Sequence, residues 1–122
     1  NDGMMQIVQK LGADTFWDYL ENYGLFDSTG IDLFGEGTSV FWPGGKDFFT
    51  SIYGETSVAT ASFGQTFKIT PIQMATAFAS MINGGHLLEP YVVQSVSDDD
   101  GNSTYYLRLW PQRLYGGLPH RR

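Results

Sequence analysis

The chain has 122 residues, 42% of them hydrophobic and 16% aromatic, with a formal net charge of −6 and no cysteine. This length and composition are typical of one small packed domain, and they exclude a disordered chain. The negative charge argues against a nucleic-acid partner, because phosphate binding depends on clustered Lys and Arg, and the missing cysteines exclude disulfides and thiolate metal sites.

Two amphipathic helices are predicted at the N-terminal end. Apolar residues at positions 4, 7, 8 and 11 recur at the spacing of one helical face, and Gly12 is the expected end of the first helix. Asp14 is the predicted N-cap of the second helix. An apolar face runs from Phe16 to Tyr23 of that helix, and Gly24 is its expected stop.

Residues 25–60 predict an ordered but irregular excursion. Six glycines and Pro43 interrupt every periodic pattern within a few residues, and large apolar side chains stand between them. A flexible linker would be polar. We therefore expect the aromatic residues to anchor this stretch to a larger body.

The clearest helix is predicted at 71–83. Thr70 and Gln73 form the pattern of a capping box, and Pro71 suits the first helical position. Asn83, followed by two glycines, is a left-handed stop signal. Apolar residues cover almost every direction of this helix, so it requires burial on all sides. The rest of the chain is too small to provide that cover, which predicts either the remainder of a larger domain or self-association.

An extended segment and a β hairpin are predicted next. Residues 87–96 end in β-branched positions, Asp100-Gly101 is a hairpin turn signal, and residues 103–107 are the expected return strand. The chain by itself is therefore predicted to be α+β, mostly helical with a short β hairpin.

Two polar features in this region have ordinary structural explanations. The run from Asp98 to Asn102 resembles part of a calcium loop, but Ser103 occupies the position that requires Gly and Leu109 the closing position that requires Glu. His86 follows the helix stop, where a surface or capping role is expected. No metal site is predicted.

The charge changes abruptly near the C-terminal end. All 13 acidic residues and the three lysines precede residue 108, and the residues after 107 contain four arginines and no acid. We predict a domain at 1–107 and an atypical basic tail at 108–122. A change of reading frame, an artificial tail and strong divergence all stay open as its origin.

Six segments carry a recognisable pattern, in this order along the chain: residues 1–12, 29–36, 61–65, 70–75, 83–85 and 89–93. Together they resemble the transpeptidase domain of class B penicillin-binding proteins, the membrane-anchored enzymes that cross-link peptidoglycan. Phe34 departs from the family's usual Pro, and Thr66 stands where a Gly commonly closes the loop, so the turn there is a candidate for a different geometry.

The resemblance implies the α/β serine penicillin-recognising transpeptidase fold for the parent domain, a five-stranded antiparallel sheet flanked by helices. It implies D,D-transpeptidation by serine acylation, with peptidoglycan stem peptides as substrates, β-lactams as inhibitors and no cofactor. It also implies an extracytoplasmic, membrane-anchored parent. This chain itself shows no signal peptide and no apolar run near the roughly 20 residues that cross a bilayer.

The resemblance further implies three active-site elements: Ser-x-x-Lys, Ser-x-Asn and Lys-Thr-Gly. No serine here precedes a lysine by three positions, and no lysine begins Lys-Thr-Gly. Asn1 alone corresponds, to the Asn of Ser-x-Asn, and is the one catalytic residue carried over. Gly64 and Gln65 are candidates for substrate binding, because a Gly-containing turn before a helix brings backbone N–H groups close to a ligand; a structural turn is the alternative.

Without Ser-x-x-Lys and Lys-Thr-Gly, the chain is predicted to be an internal fragment of a transpeptidase that is not catalytic alone. Whether the chain itself is an enzyme stays open. Two alternatives remain. The chain could be a non-enzymatic structural or interaction module similar to penicillin-binding proteins, or a truncated product without a function of its own. The coding sequence just upstream distinguishes them, because the fragment hypothesis requires Ser-x-x-Lys and a Ser-x before Asn1.

Overall fold

The computed structural model describes residues 1–105 and 111–114, and within these ranges the chain forms helices first and short strands last. The helices are α1 (Asp2–Leu11), α2 (Ala13–Asn22), α3 (Gly45–Thr50), α4 (Glu55–Ala61) and α5 (Pro71–Ile82), with a 3₁₀ turn at Ile52–Gly54. The strands are β1 (His86–Leu88), β2 (Ser95–Ser97), β3 (Ser103–Tyr105) and β4 (Pro111–Leu114). The predicted α+β content, mostly helical with a short hairpin, is confirmed.

The link between α1 and α2 is tighter than the sequence indicated. Gly12 ends α1 by donating its backbone N–H to the carbonyl of Val8, and the same residue is the N-cap of α2, with a φ of 87°. The prediction of Asp14 as N-cap is wrong. Because glycine adopts this φ without a steric penalty, the chain turns at one residue, and Asp14 falls in the first turn of α2. An acidic side chain is favourable there because it faces the positive end of the helix dipole.

The prediction of an irregular excursion over residues 25–60 is wrong in part, because α3 and all but the last residue of α4 lie within it. A Cβ at Gly54 would lie only 2.4 Å from the carbonyl oxygens of Phe48 and Phe49. This glycine therefore permits close packing between two short helices. Sequence periodicity is a weak signal over six or seven residues, which is why both helices were missed.

Aromatic side chains anchor this region to α2, and their predicted contact with a larger body stays a prediction. Phe49 is completely buried, and its ring centroid lies 4.5 Å from that of Trp42. Trp17 of α2 stacks on Phe26 at the same centroid distance. The core therefore joins α2, α3 and the loop between them through ring contacts, which add geometric preference to the burial of apolar area.

The hairpin prediction is confirmed over its described residues. Strands β2 and β3 pair antiparallel, with Ser97 opposite Ser103. In the turn, the Asp98 carboxylate accepts hydrogen bonds from the side-chain amide and then the backbone N–H of Asn102, and these bonds, the side-chain one most, lower the pKa of Asp98. The acidic run is thus a hairpin turn. Residues 106 and 107 of the expected return strand lie outside the described ranges.

Strand β4 lies within the predicted basic tail and pairs antiparallel with β1, with Leu114 opposite His86. The sequence showed no periodic signal here, because four residues are too few to reveal one. Residues 108–110 and 115–122 of the predicted tail lie outside the described ranges.

Helix α5 has the predicted N-terminus and an incompletely covered surface. Thr70 accepts the backbone N–H of Gln73 while the Gln73 side chain accepts the backbone N–H of Thr70, which completes the capping box. Gln73, Ala77 and Ser80 are buried. The opposite face is exposed, and its large apolar residues are Met74 (44% exposed), Phe78 (59%), Met81 (54%) and Ile82 (90%). We refer to these four residues as the open face of α5.

Candidate functional site

Asn1 is an exposed residue immediately before α1. Its backbone carbonyl accepts the N–H of Met5 at 3.1 Å, so the main chain already begins the helix here. Its side chain makes no capping hydrogen bond. The carboxamide therefore does not cap α1, although N-cap asparagines commonly bond the first helical turn.

Gly64 and Gln65 lie in the loop that follows α4, and this loop has the hydrogen bonds of a Schellman motif. The N–H of Gly64 donates to the carbonyl of Ala61 at 2.9 Å, and the N–H of Gln65 donates to that of Thr60 at 3.0 Å. Gly64 has a φ of 85°, the left-handed conformation that such a helix end requires. The end of the helix therefore explains Gly64. Substrate binding by these two residues stays a prediction, and their backbone N–H groups are already engaged.

Thr66 closes the same loop with an unusual backbone. Its φ is 72°, so a β-branched residue adopts the left-handed conformation that glycine adopts without strain. The substitution of Thr66 for the family's common Gly therefore leaves the backbone of this turn in the conformation typical of glycine. The Thr66 Oγ1 accepts the indole N–H of Trp42 at 3.3 Å and lies 3.0 Å from the Thr60 Oγ1. Sequence reasoning gave Thr66 no role beyond that departure.

Two acidic residues of the segment 29–36 organise the loop that contains them. The Glu36 carboxylate accepts the backbone N–H and hydroxyl of Thr29 at 2.6 and 2.7 Å and the N–H of Gly30 at 3.3 Å. These bonds, with the Thr29 backbone contributing most, lower the pKa of Glu36. Asp32 reaches farther along the chain, because its two carboxylate oxygens accept the backbone N–H groups of Val92 and Val93 at 2.7 and 2.9 Å.

The predicted site residues lie on neighbouring elements. Helix α1, which follows Asn1, packs against α4, and α4 leads into the loop with Gly64 and Gln65. No hydrogen bond joins Asn1 to that loop among the described residues. A groove of about 540 Å³ lies between α1, α3 and α4, with Val8, Phe49 and Val58 in its walls. No set of three or more potential metal ligands from His, Asp and Glu gathers in the described ranges.

The described helices include none that is long and apolar enough to cross a bilayer. The fold has a clear counterpart among solved structures. The crystal structure of penicillin-binding protein 3 from Mycobacterium tuberculosis in complex with aztreonam matches with a TM-score of 0.75 and 25% identity, over 87% of this chain and 22% of that one. Its ampicillin complex matches with a TM-score of 0.74. The helices and hairpin are thus part of an α/β transpeptidase domain of the penicillin-recognising class.

The chain belongs to the penicillin-binding protein transpeptidase domain family, whose model matches residues 1–114. Stage V sporulation protein D of Bacillus subtilis is 35% identical over 80% of this chain and 14% of its own length. The peptidoglycan D,D-transpeptidase FtsI homolog of Mesostigma viride is 29% identical over 88% of this chain and 18% of its own length. The chain therefore spans less than a fifth of each of these two relatives. The predicted boundary at residue 107 stays a prediction.

Proposed function

We propose that this chain is the part of a peptidoglycan D,D-transpeptidase that begins at the Asn of Ser-x-Asn and ends before the Lys-Thr-Gly strand. The observation that carries the proposal is the family match over residues 1–114, together with the fold match to a penicillin-binding protein in complex with a β-lactam. The bonds from Val92 and Val93 to Asp32 support it, because they join two of the segments that resemble the family.

The proposed reaction has two acyl-transfer steps. A serine outside this chain attacks the carbonyl of the D-Ala-D-Ala bond, a lysine accepts its proton, and the terminal D-Ala leaves with a proton on its amine. The amine of a second stem peptide then attacks the acyl-enzyme and restores the serine. Asn1 contributes a carboxamide, which carries two N–H donors and one acceptor and can orient both the substrate amide and the serine–lysine pair.

The remainder of the domain is the proposed cover for the open face of α5. Exposed apolar patches on this scale commonly mark contact surfaces, because leaving them in water forfeits the hydrophobic contribution to stability. The wider proposal includes an extracytoplasmic, membrane-anchored parent whose ligands are stem peptides and β-lactams. The isolated chain would have neither nucleophile nor carboxylate-binding strand.

Labelling of the full-length protein with fluorescent penicillin tests this function. We expect a covalent band that persists under denaturing conditions for the full-length protein and none for residues 1–122 alone. Asn1→Ala should slow acylation by about 10²-fold, the lower range for loss of a group that assists proton transfer. Gln6→Ala, a change at an exposed amide on the same helix, is the matched control and should leave the rate unchanged.

The opposite outcomes have clear meanings. If the full-length protein stays unlabelled, the proposed transpeptidase function is wrong and the non-enzymatic module is favoured. If the isolated chain is labelled, its nucleophile lies within the 122 residues and the fragment hypothesis is wrong. If Asn1→Ala acylates at the normal rate, the assignment of Asn1 to Ser-x-Asn is wrong while the function stands.

A further inference from the structure

The loop between Asp32 and Glu36 presents two large apolar side chains to solvent. Leu33 is 54% exposed, and Phe34 is fully exposed. Phe34 is also a position at which the chain departs from the family's usual Pro, so the fold of the family does not depend on a ring here. The exposed ring gains nothing from the fold of this chain, whereas its burial against a partner would stabilise a complex.

Hydrogen bonds hold this loop at both ends. At one end the Asp32 carboxylate accepts the backbone N–H groups of Val92 and Val93 at 2.7 and 2.9 Å. At the other end the Glu36 carboxylate accepts the backbone N–H and the hydroxyl of Thr29. A preorganised loop loses less conformational entropy on binding than a flexible loop does. The exposed ring therefore stands on a backbone that is already fixed before a partner arrives.

A second exposed apolar segment joins the loop through Asp32. Because the Asp32 carboxylate bonds the backbone of residues 92 and 93, this segment lies beside the loop. Tyr91 is 49% exposed and Val92 is 60% exposed. Exposed apolar residues that are grouped in this way commonly mark a site of protein contact. We refer to four residues as the apolar loop surface: Leu33, Phe34, Tyr91 and Val92.

Charge distinguishes the apolar loop surface from the open face of α5. Helix α5 contains no charged residue, so its open face can enter a domain core without burying an ion. Residues 29–36 and 89–93, in contrast, contain three carboxylates and no Lys, Arg or His. Apolar residues with charges among them are typical of an interface whose rim stays in water. The carboxylates are those of Asp32, Glu36 and Glu89.

We propose that the apolar loop surface is a docking site for a separate protein, which receives Phe34 in an apolar pocket bordered by Lys or Arg. The ring is the buried anchor, and the three carboxylates are complementary to the basic border of the pocket. The same carboxylates oppose two other occupants. A second copy of this chain in a symmetric contact would place carboxylates against carboxylates, and a membrane with anionic lipids would repel them.

Photo-crosslinking from position 34 of the full-length protein, in the cells that naturally produce it, tests the proposal. Benzoylphenylalanine replaces Phe34 and bonds covalently to whatever lies against it on irradiation, and mass spectrometry sequences the attached peptide. We expect one other protein, attached through an apolar segment with Lys or Arg beside it. Benzoylphenylalanine at Tyr53 is the matched control, because Tyr53 is an 82% exposed aromatic residue outside the surface. It should not give this adduct.

Titration of the purified partner with the full-length protein then measures the contribution of the ring. Phe34→Ala should weaken binding about 30-fold, the loss expected for a buried aromatic anchor. Binding should also weaken at high salt, because salt screens the attraction between the carboxylates and the basic border. The melting temperature of the full-length protein should be the same with and without Phe34→Ala. None of these measurements reads transpeptidation, so their outcome is independent of the proposed function.

Several outcomes would overturn the proposal. An adduct within the same chain, or a lower melting temperature for Phe34→Ala, would show that the remainder of the domain covers the ring. An adduct to a second copy or to lipid would assign the surface to one of the opposed occupants. The proposal is also wrong if position 34 gives no more adduct than position 53, or if the partner binds Phe34→Ala as tightly as wild type.

Discussion

The carboxylate of Asp32 accepts the backbone N–H of Val92 at 2.7 Å, although the two residues lie 60 positions apart in the chain. The other carboxylate oxygen accepts the next N–H, so one side chain satisfies two consecutive donors of the segment that leads into the hairpin. Charged acceptors form stronger hydrogen bonds than neutral ones. Asp32 therefore closes a long loop of the chain with a single side chain.

Replacing Asp32 with Asn should lower the stability of the transpeptidase domain. The carboxamide can accept from one of the two N–H groups, while its own NH₂ faces the other. We expect a loss of about 1–2 kcal/mol, because the bonds are partly exposed. In a domain of ordinary size this corresponds to a melting temperature lower by roughly 2–8 °C. Thermal unfolding of the full-length protein measures the change. Asp99→Asn, at an exposed aspartate of the hairpin turn, is the control; an equal decrease for both would refute a specific role for Asp32.

The contribution of Glu36 to stability should depend on pH in one direction. Its pKa is lower in the folded protein than in the unfolded chain, so the carboxylate stabilises the fold fully above the unfolded value of about 4.3. This contribution is lost as the pH falls through the lower, folded pKa. The difference in unfolding free energy between wild type and Glu36→Gln should therefore be constant near neutrality and shrink below about pH 4.3.

Denaturant unfolding at a series of pH values checks the Glu36 prediction. Glu55→Gln removes a charge from an exposed glutamate at the start of α4 and controls for a general effect of net charge. If the difference in unfolding free energy between wild type and Glu36→Gln stays constant or widens in acid, the hydrogen bonds to Glu36 do not explain its contribution.

Replacing Gln73 with Glu should lower the stability of the protein more than the role of Gln73 in the capping box alone predicts. Sequence rules accept Glu and Gln equally at this position, because either can accept the N–H of the cap residue. Here the Gln73 Nε2 also donates to the carbonyls of Leu25 and Asp27, at 3.2 and 2.7 Å. Glutamate would place a buried negative charge against two carbonyl oxygens. We expect Gln73→Glu to cost about 2–4 kcal/mol.

The melting temperature of the full-length protein again provides the measurement. Gln6→Glu is the control, since Gln6 is an exposed residue of α1. A protein with Gln73→Glu that melts like the control would show that the amide bonds to Leu25 and Asp27 contribute little. Raising the pH from about 5 to 7 should deepen the defect, because the penalty applies to the ionised side chain.

The open face of α5 should make the isolated chain self-associate. Phe78 lies in this face and is 59% exposed, so Phe78→Glu should increase the fraction of monomer. Phe34 is the matched control because it is a fully exposed phenylalanine outside α5. Sedimentation velocity of the two variants gives the comparison. If Phe34→Glu reduces self-association as much as Phe78→Glu does, the open face of α5 is not the specific surface of association. In the full-length protein, Phe78→Glu should instead lower the melting temperature.

The sequence alone determined the strongest local features. Thr70, Pro71 and Gln73 defined the start of α5 because capping depends on residues within one helical turn. Asp100-Gly101 located the hairpin for the same reason. The all-round apolar character of α5 indicated a missing cover, and the open face agrees with that expectation. The ordered motifs also indicated the family, because their residues and spacing are properties of the chain itself.

Only the tertiary structure decided which distant groups meet. No local pattern pairs Asp32 with Val92 or Gln73 with Leu25, because hydrogen bonds between remote segments depend on how the whole chain packs. The two helices within 25–60 escaped prediction since their stability comes from buried rings such as Phe49 rather than from a periodic face. Thr66 shows the same limit most clearly. The sequence marked it as a departure from a glycine, whereas the packing of Trp42 and Thr60 around its hydroxyl determined that it adopts the backbone of a glycine.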